Sequence, residues 1–240
     1  MSNVITRLLV LAAGILLVTT SVGAAKPIFT VKNAKQVVIL NDVIQGAYAA
    51  SLASQISSLA QDKGATNIDI IINSPGGSIV AGMFIVSAIE RVKSRGVVVR
   101  CAVPRFAASM AFQILSHCSE RYILPQAFVL WHPPRVALMY AIITPEAARG
   151  LLASLADWEN VLVTQLKKQM NINSRKFKSY YNAEKLVLGS ELVEITEGFA
   201  TVVDDIRGIP DTAWVDGRKK SRGARGLVPF ELDYTCTNCR

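Results

Sequence analysis

The sequence predicts an α/β protein. Its 240 residues are 51% hydrophobic, which is enough for one sizeable core. Residues 68–72 form a near-continuous apolar run, as is typical of a strand covered on both faces. Strand-like and helix-like patterns alternate from there to Trp131. This alternation is the signature of the α/β class.

The elements before and after that strand follow from local patterns. We expect short strands at 28–31 and 36–40, and a helix at 49–61 in which apolar residues recur at helical spacing. A second helix is expected at 79–92. Because it is apolar nearly all round, we place it between layers and expect its large side chains to be core residues, namely Met83 and Phe84.

A glycine pair lies between the central strand and the second helix. The segment Ser74-Pro75-Gly76-Gly77 exposes backbone N–H groups where any side chain would block approach. It contains neither a Gly-Lys-Ser/Thr step nor a G-x-G-x-x-G pattern, so it does not predict a nucleotide phosphate site. An anion held by these N–H groups is better interpreted as a transient oxyanion.

Ser109 stands at the start of a predicted apolar helix. An apolar strand at 97–103 precedes it, and the small residues Ala107-Ala108 leave room for a substrate backbone. Free N–H groups and the helix dipole at such a position favour developing negative charge, so a serine there can act as a nucleophile. The alternative is an ordinary capping serine.

The chain has two histidines that could serve as a base. His117 follows Ser109 by eight residues on the same predicted helix, about 12 Å along the axis, which is too far for a hydrogen bond. His132 ends a strand, and Pro133-Pro134 prevents that strand from continuing. His132 is therefore the candidate general base.

Three motifs in this order resemble the Clp protease family of serine peptidases: INSPGG-x3-AG, AASM and a strand that ends in H-x-P. The resemblance covers residues 37–206. It implies a spiral of β-β-α units, with Ser109 as the nucleophile and His132 as the general base. It also implies an oxyanion hole formed by the N–H groups of Gly77 and Met110. No metal, nucleotide or other cofactor is implied.

The third member of the triad departs from the family pattern. Counting back from Gly198 without gaps puts Leu186 where the family has an aspartate, and a leucine cannot orient a histidine. Allowing two extra residues brings Glu184 to that position, so Glu184 is the candidate acid and Asn182 is the runner-up. The alternative for Glu184 is a solvated surface acid.

A long helix is expected at about 145–170, after the head of the domain at 26–140. Its start, Thr144-Pro145-Glu146, combines a capping hydroxyl, a proline and an acid. Its apolar stripe consists of Leu151, Leu155, Trp158, Leu162 and Leu166. In the family that the chain resembles, this helix projects as a handle and joins two rings, so we expect a homo-oligomer. The alternative is a helix that packs on its own domain.

Residues 1–25 have the pattern of an export signal. Arg7 precedes a short apolar run at 8–18, and small residues suited to cleavage follow at Ala24 and Ala25. We therefore expect a periplasmic or otherwise exported protein. If the signal is not removed, residues 1–25 would anchor the protein to a membrane. Outside the cytoplasm, no ATP-driven unfoldase is expected to supply substrates.

Residues 213–240 follow the predicted peptidase domain at 26–212. The basic run at 216–225 is interpreted first as a solvated linker, and second as a weak contact with an anionic membrane surface. The net charge of +8 does not by itself predict a nucleic-acid partner. Cys236 and Cys239 are expected to form a disulfide rather than a zinc site, because the remaining cysteines, Cys101 and Cys118, fall in predicted core elements.

The sequence thus predicts an exported serine endopeptidase that hydrolyses peptides or unfolded proteins without ATP. A related spiral peptidase with a lysine base is disfavoured by His132. Two further alternatives are an acyl-CoA enzyme of the crotonase-like spiral, which the Ser109 and His132 pair disfavours, and a catalytically impaired assembly or binding module, which an imperfect triad would favour.

Overall fold

The computed structural model describes residues 26–62, 64–136 and 142–210, and they form the expected α/β fold. The strands are β1 Ile28–Thr30, β2 Val37–Leu40, β3 Asn67–Ile72, β4 Val98–Val103, β5 Phe106–Ala108, β6 Glu120–Ile123, β7 Phe128–Leu130, β8 Val187–Leu188, β9 Thr201–Val202 and β10 Asp205–Arg207. The helices are α1 Gly46–Leu59, α2 Ile79–Lys93, α3 Met110–Ser116, α4 Pro145–Met170, α5 Ser174–Ala183 and α6 Gly189–Ile195.

A five-stranded parallel sheet forms the centre of the molecule, in the order β2-β3-β4-β6-β9. All six residues of β3 are buried. Ile70 and Ile72 belong to the large core that includes α1 and α2, whereas Ile71 packs with Phe29 in a smaller core near the β1-β10 pair. The sheet is therefore covered on both faces, as its continuous apolar sequence predicts.

A second row of strands runs beside the main sheet. It contains β5, β7 and β8, and two single-residue bridges, Ile44 to Gly77 and Ser74 to Ala107, extend the pairing. Along the chain, β4 leads into β5 and then into α3, so one unit supplies a strand to each row before its helix. This arrangement is the β-β-α spiral that the family resemblance implies.

Helix α2 departs from expectation at its outer surface. Seven of its residues are buried, among them Ile85 and Ile89, but Phe84 is 54% exposed and Val80 is 60% exposed. The prediction of Phe84 as a core residue is wrong, because α2 covers the sheet with one face only. Met83 is partly buried against the core.

A buried ion pair lies in the main sheet. The guanidinium of Arg100 on β4 donates to both carboxylate oxygens of Asp69 on β3, at 2.7 and 2.6 Å, and also to the carbonyl of Thr30 at 3.0 Å. Asp69 is fully buried and Arg100 nearly so. Each partner compensates the charge of the other, which would cost much free energy to bury alone in the core.

A disulfide joins Cys101 on β4 to Cys118, which follows α3, with Cα atoms 6.0 Å apart. Both residues are buried, as the sequence predicts, but their pairing was not foreseen. The closed loop contains β5, Ser109 and α3. The expected pair Cys236 and Cys239 lies outside the described residues, as do the export signal at 1–25 and the basic run at 216–225.

Helix α4 has the bounds that the sequence predicts, at about 145–170. The Thr144 side chain accepts a hydrogen bond from the Ala147 N–H at 3.2 Å, and Asn171 takes a left-handed conformation after the last turn. In the described ranges 26–62, 64–136 and 142–210, no helix is long and apolar enough to cross a membrane.

Candidate active site

Ser109 occupies a strained turn between β5 and α3. Its φ of 55° and ψ of −123° are rare for any residue except glycine. The backbone is fixed in this conformation, because the Ser109 N–H donates to the Leu130 carbonyl at 2.8 Å and the Ser109 carbonyl accepts from Phe112 and Gln113. The side chain makes no capping hydrogen bond. The capping alternative is therefore wrong, and Oγ is left available at the helix start.

The glycine pair approaches this turn closely. A Cβ atom on Gly76 would lie 2.5 Å from the Ala108 carbonyl oxygen, 2.7 Å from the Ser109 Cβ and 2.8 Å from the Met110 nitrogen. Gly76 and Gly77 both have positive φ, at 90° and 147°. Only glycine combines this backbone conformation with so close a contact.

Two backbone N–H groups stand unpaired beside Ser109. On either side of Gly77, Ile44 donates to the Gly76 carbonyl and Ser78 donates to the Ile44 carbonyl, both at 2.8 Å, which fixes the loop. The N–H of Gly77 and that of Met110, the first residue of α3, make no hydrogen bond within the described residues. Both residues line the same cleft as Ser109. Two free donors at one cleft are what an oxyanion hole needs, and that role of Gly77 and Met110 stays a prediction.

His132 is half-buried and lines the cleft with Ser109. In the described part of the chain no hydrogen bond joins the two side chains; such contacts are often long in unliganded enzymes. The Nδ1 atom of His132 lies 2.7 Å from the carbonyl oxygen of Pro133. The other histidine, His117, follows α3 and lies 2.9 Å from Glu90, so it serves a different part of the fold.

Glu184 follows α5 with a positive φ of 50°, and its carboxylate forms an ion pair with Arg135. The hydrogen bond from Arg135 lowers the pKa of Glu184, and the nearby charge of His132 lowers it further. The expected hydrogen bond from His132 to Glu184 is not formed in the described structure, and Asn182 makes none with His132 either. The role of Glu184 as the third triad member stays a prediction.

The cleft has a volume of about 720 Å³ and is walled by α4. Trp158 and the other residues of the α4 stripe face it, together with Trp131 and the residues of the Ser109 turn. A hydrogen bond of 3.0 Å from Gln113 to Gln165 joins α3 to α4. Within this one chain the stripe lines its own cleft, with Leu166 buried and the rest half-exposed, and the role of α4 as a handle that joins subunits stays a prediction. Leu152 and Val161 are exposed on the two flanks of α4, one on each side of the stripe.

Two contacts at this site were missed by sequence reasoning: the pairing of Arg135 with Glu184, and the Pro133 carbonyl beside His132. Arg135 is three residues from His132, which is the one signal that could have drawn attention to it. In the residues that the structure describes, no group of three or more His, Cys, Asp or Glu side chains could hold a metal ion.

Comparison with known proteins identifies the family. The family model described as Clp protease matches residues 23–179, well over half of the chain, and the chain belongs to this family. It is 36% identical over 102 residues to the ATP-dependent Clp protease proteolytic subunit 2 of Tropheryma whipplei, a match that covers 42% of this chain and 55% of the relative.

Two proteins of Streptomyces avermitilis are similarly related. Proteolytic subunit 1 of the ATP-dependent Clp protease is 30% identical over 107 residues, covering 44% of this chain and 48% of the relative. Proteolytic subunit 3 is 33% identical over 106 residues, covering 43% and 47%. The chain thus spans about half the length of the curated relatives it matches.

Proposed function

We propose that the chain is an exported serine endopeptidase that hydrolyses peptides or unfolded proteins without ATP. One observation carries the proposal: Ser109 stands in a strained turn with an uncapped side chain, beside the unpaired N–H groups of Gly77 and Met110. His132 shares the cleft. Backbone strain at a polar residue in a cleft is characteristic of a functional site.

The reaction is acyl transfer. The Oγ of Ser109 attacks a peptide carbonyl while His132 Nε2 takes the hydroxyl proton, and the Gly77 and Met110 N–H groups stabilise the resulting oxyanion. His132 then returns the proton to the leaving amine, and an acyl enzyme remains. Water, deprotonated by His132, attacks the ester; the peptide acid leaves and Ser109 regains its proton.

The cleft supports a peptide substrate, because its apolar walls suit large apolar side chains. Export is supported by the leader pattern at 1–25 and by the buried disulfide between Cys101 and Cys118, since disulfides persist in oxidising compartments. The relatives named above are proteolytic subunits, which supports assembly of this chain into a homo-oligomer. The relatives are named as subunits of an ATP-dependent protease, whereas the activity proposed for this chain does not require ATP.

The test is labelling with a fluorophosphonate probe, together with peptide hydrolysis measured with and without ATP. The wild-type protein should react and hydrolyse equally in both conditions, whereas Ser109→Ala should do neither. Because Oγ makes no capping bond, we expect Ser109→Ala to change the free energy of unfolding by less than about 0.5 kcal/mol. Ser154→Ala is the matched control, since Ser154 also lines the cleft and should be dispensable.

Hydrolysis by Ser109→Ala would overturn the assignment of the nucleophile. A wild-type protein that neither reacts with the probe nor cleaves peptides would favour the impaired assembly or binding module. Binding of coenzyme A by such an unreactive protein would instead favour the crotonase-like alternative.

A further inference from the structure

The contacts of His132 point to an orienting group that is not a carboxylate. We propose that the backbone carbonyl of Pro133, and not the carboxylate of Glu184, orients His132. The inference rests on the proposed function, because it concerns how the Ser109 and His132 pair works.

The first step is the tautomer of His132. A carbonyl oxygen can only accept a hydrogen bond, so the contact of 2.7 Å between Nδ1 and the Pro133 oxygen requires the proton on Nδ1. The neutral imidazole then has its lone pair on Nε2. This is the tautomer that a general base needs, and it is the one that the aspartate of a serine-protease triad normally secures.

The second step is the rigidity of the orienting carbonyl. Pro133 has its own φ fixed by its ring, and Pro134 restricts Pro133 to extended conformations. Neither proline has an N–H that could compete for the acceptor. The acceptor is therefore held by the residues that immediately follow His132, and no distant element is needed to place it.

The third step is the position of Glu184. Its carboxylate is engaged by the guanidinium of Arg135, which lies on the same segment as His132 and lines the cleft. Side chains of both partners are substantially exposed, at 61% for Arg135 and 40% for Glu184. An exposed pair of this kind contributes little to stability. Glu184 thus acts on His132 only through its charge at a distance.

The fourth step is the chemical consequence. A neutral carbonyl fixes the tautomer and the ring orientation, but it stabilises the imidazolium less than a carboxylate does. Turnover should then depend on the geometry of the Pro133-Pro134 segment rather than on the charge of residue 184. Pro133 and Pro134 are in this sense positioning residues.

The test compares two variants by steady-state kinetics. Glu184→Gln should retain kcat within about threefold, since an exposed ion pair is all that it removes. Pro134→Ala frees the Pro133 carbonyl, so kcat should fall by about tenfold or more while the unfolding midpoint stays close to that of the wild type. A loss of about 10⁴ in kcat for Glu184→Gln, the usual effect of removing a triad acid, would overturn the inference.

The second readout is the tautomer itself, measured by ¹⁵N NMR of histidine-labelled protein at a pH where the imidazole is neutral. The chain has two histidines, so His132→Gln assigns the signals. A proton on Nδ1 in both the wild type and Glu184→Gln supports the inference, whereas a proton on Nε2 in either protein overturns it. Because this measurement does not use activity, it separates failure of the inference from failure of the proposed function, which Ser109→Ala tests.

Discussion

At the scale of single residues, the site depends on the absence of a side chain at position 76. The glycine loop lies so close to the Ser109 turn that there is no room for a Cβ atom on Gly76. The contact also explains why two glycines are needed: Gly77 meets Ile44 on one side as closely as Gly76 meets the serine turn on the other. The unpaired N–H of Gly77 is thereby held beside Ser109.

We predict that Gly76→Ala inactivates the protein. The new Cβ would overlap the Ala108 carbonyl and the Met110 nitrogen, and its φ of 90° is unfavourable for alanine. We expect a loss of about 1–3 kcal/mol in the free energy of unfolding and a large fall in kcat, measured by denaturant titration and peptide hydrolysis.

Gly150→Ala is the matched control for this prediction. Gly150 lies within α4, and nothing would contact its added methyl group. This change should stabilise the protein by about 1 kcal/mol and leave turnover unchanged. Equal activity of the two glycine variants would show that the close contact at Gly76 is unimportant.

Motif residues could be predicted from the sequence, because each has a local signature. Ser109 follows a small-residue step, and His132 precedes two prolines. The partner of Glu184 could not be predicted, since Arg135 is 49 positions away and no periodicity relates the two. The contact of His132 with the Pro133 carbonyl could not be predicted for another reason: it depends on the side-chain rotamer of His132, which the sequence does not determine.

At the scale of elements, capping and periodicity predicted the bounds of α2 and α4 closely, but they predicted less well what surrounds each helix. Helix α4 occupies the expected range because Thr144 and Asn171 terminate it by local hydrogen bonding and conformation. Its stripe faces the cleft of its own domain, which periodicity cannot distinguish from a partner-facing stripe. Phe84 on α2 was misassigned for the same reason: an apolar residue in a helical pattern does not reveal whether another element packs against it.

We predict that the link between β4 and the end of α3 contributes about 2–4 kcal/mol to the free energy of unfolding. The double variant Cys101→Ala/Cys118→Ala should unfold at lower urea concentration than the wild type under oxidising conditions. A reductant should remove most of that difference. If the two proteins unfold alike without reductant, the disulfide does not stabilise the fold.

For the fold as a whole, the alternation of strands and helices in the sequence predicts the α/β class, but it does not predict the spiral arrangement of the β-β-α units. The second row of strands is joined by bridges of one residue each, at Ile44 to Gly77 and Ser74 to Ala107, and such contacts have no pattern. The family resemblance supplied the spiral, and the structure confirms it.

Assembly gives a prediction at this scale. Leu152 is 66% exposed and Val161 47% exposed, on opposite flanks of α4, so a second copy on either flank could bury apolar area. We expect a homo-oligomer by light scattering at micromolar concentration, and dissociation in Leu152→Asp/Val161→Asp. Asn160→Asp adds a charge to the same helix without removing an apolar side chain, and it should remain assembled. A monomeric wild type would contradict the prediction.

The position of the disulfide around Ser109 has a practical consequence for peptide mapping. Trypsin cleaves after Arg100, Arg105 and Arg121, which releases residues 101–105 and residues 106–121. The second fragment contains both Ser109 and Cys118, and the first contains Cys101. A digest of probe-labelled protein prepared without reductant should therefore contain one cross-linked species whose mass reports the modified serine and the intact disulfide together.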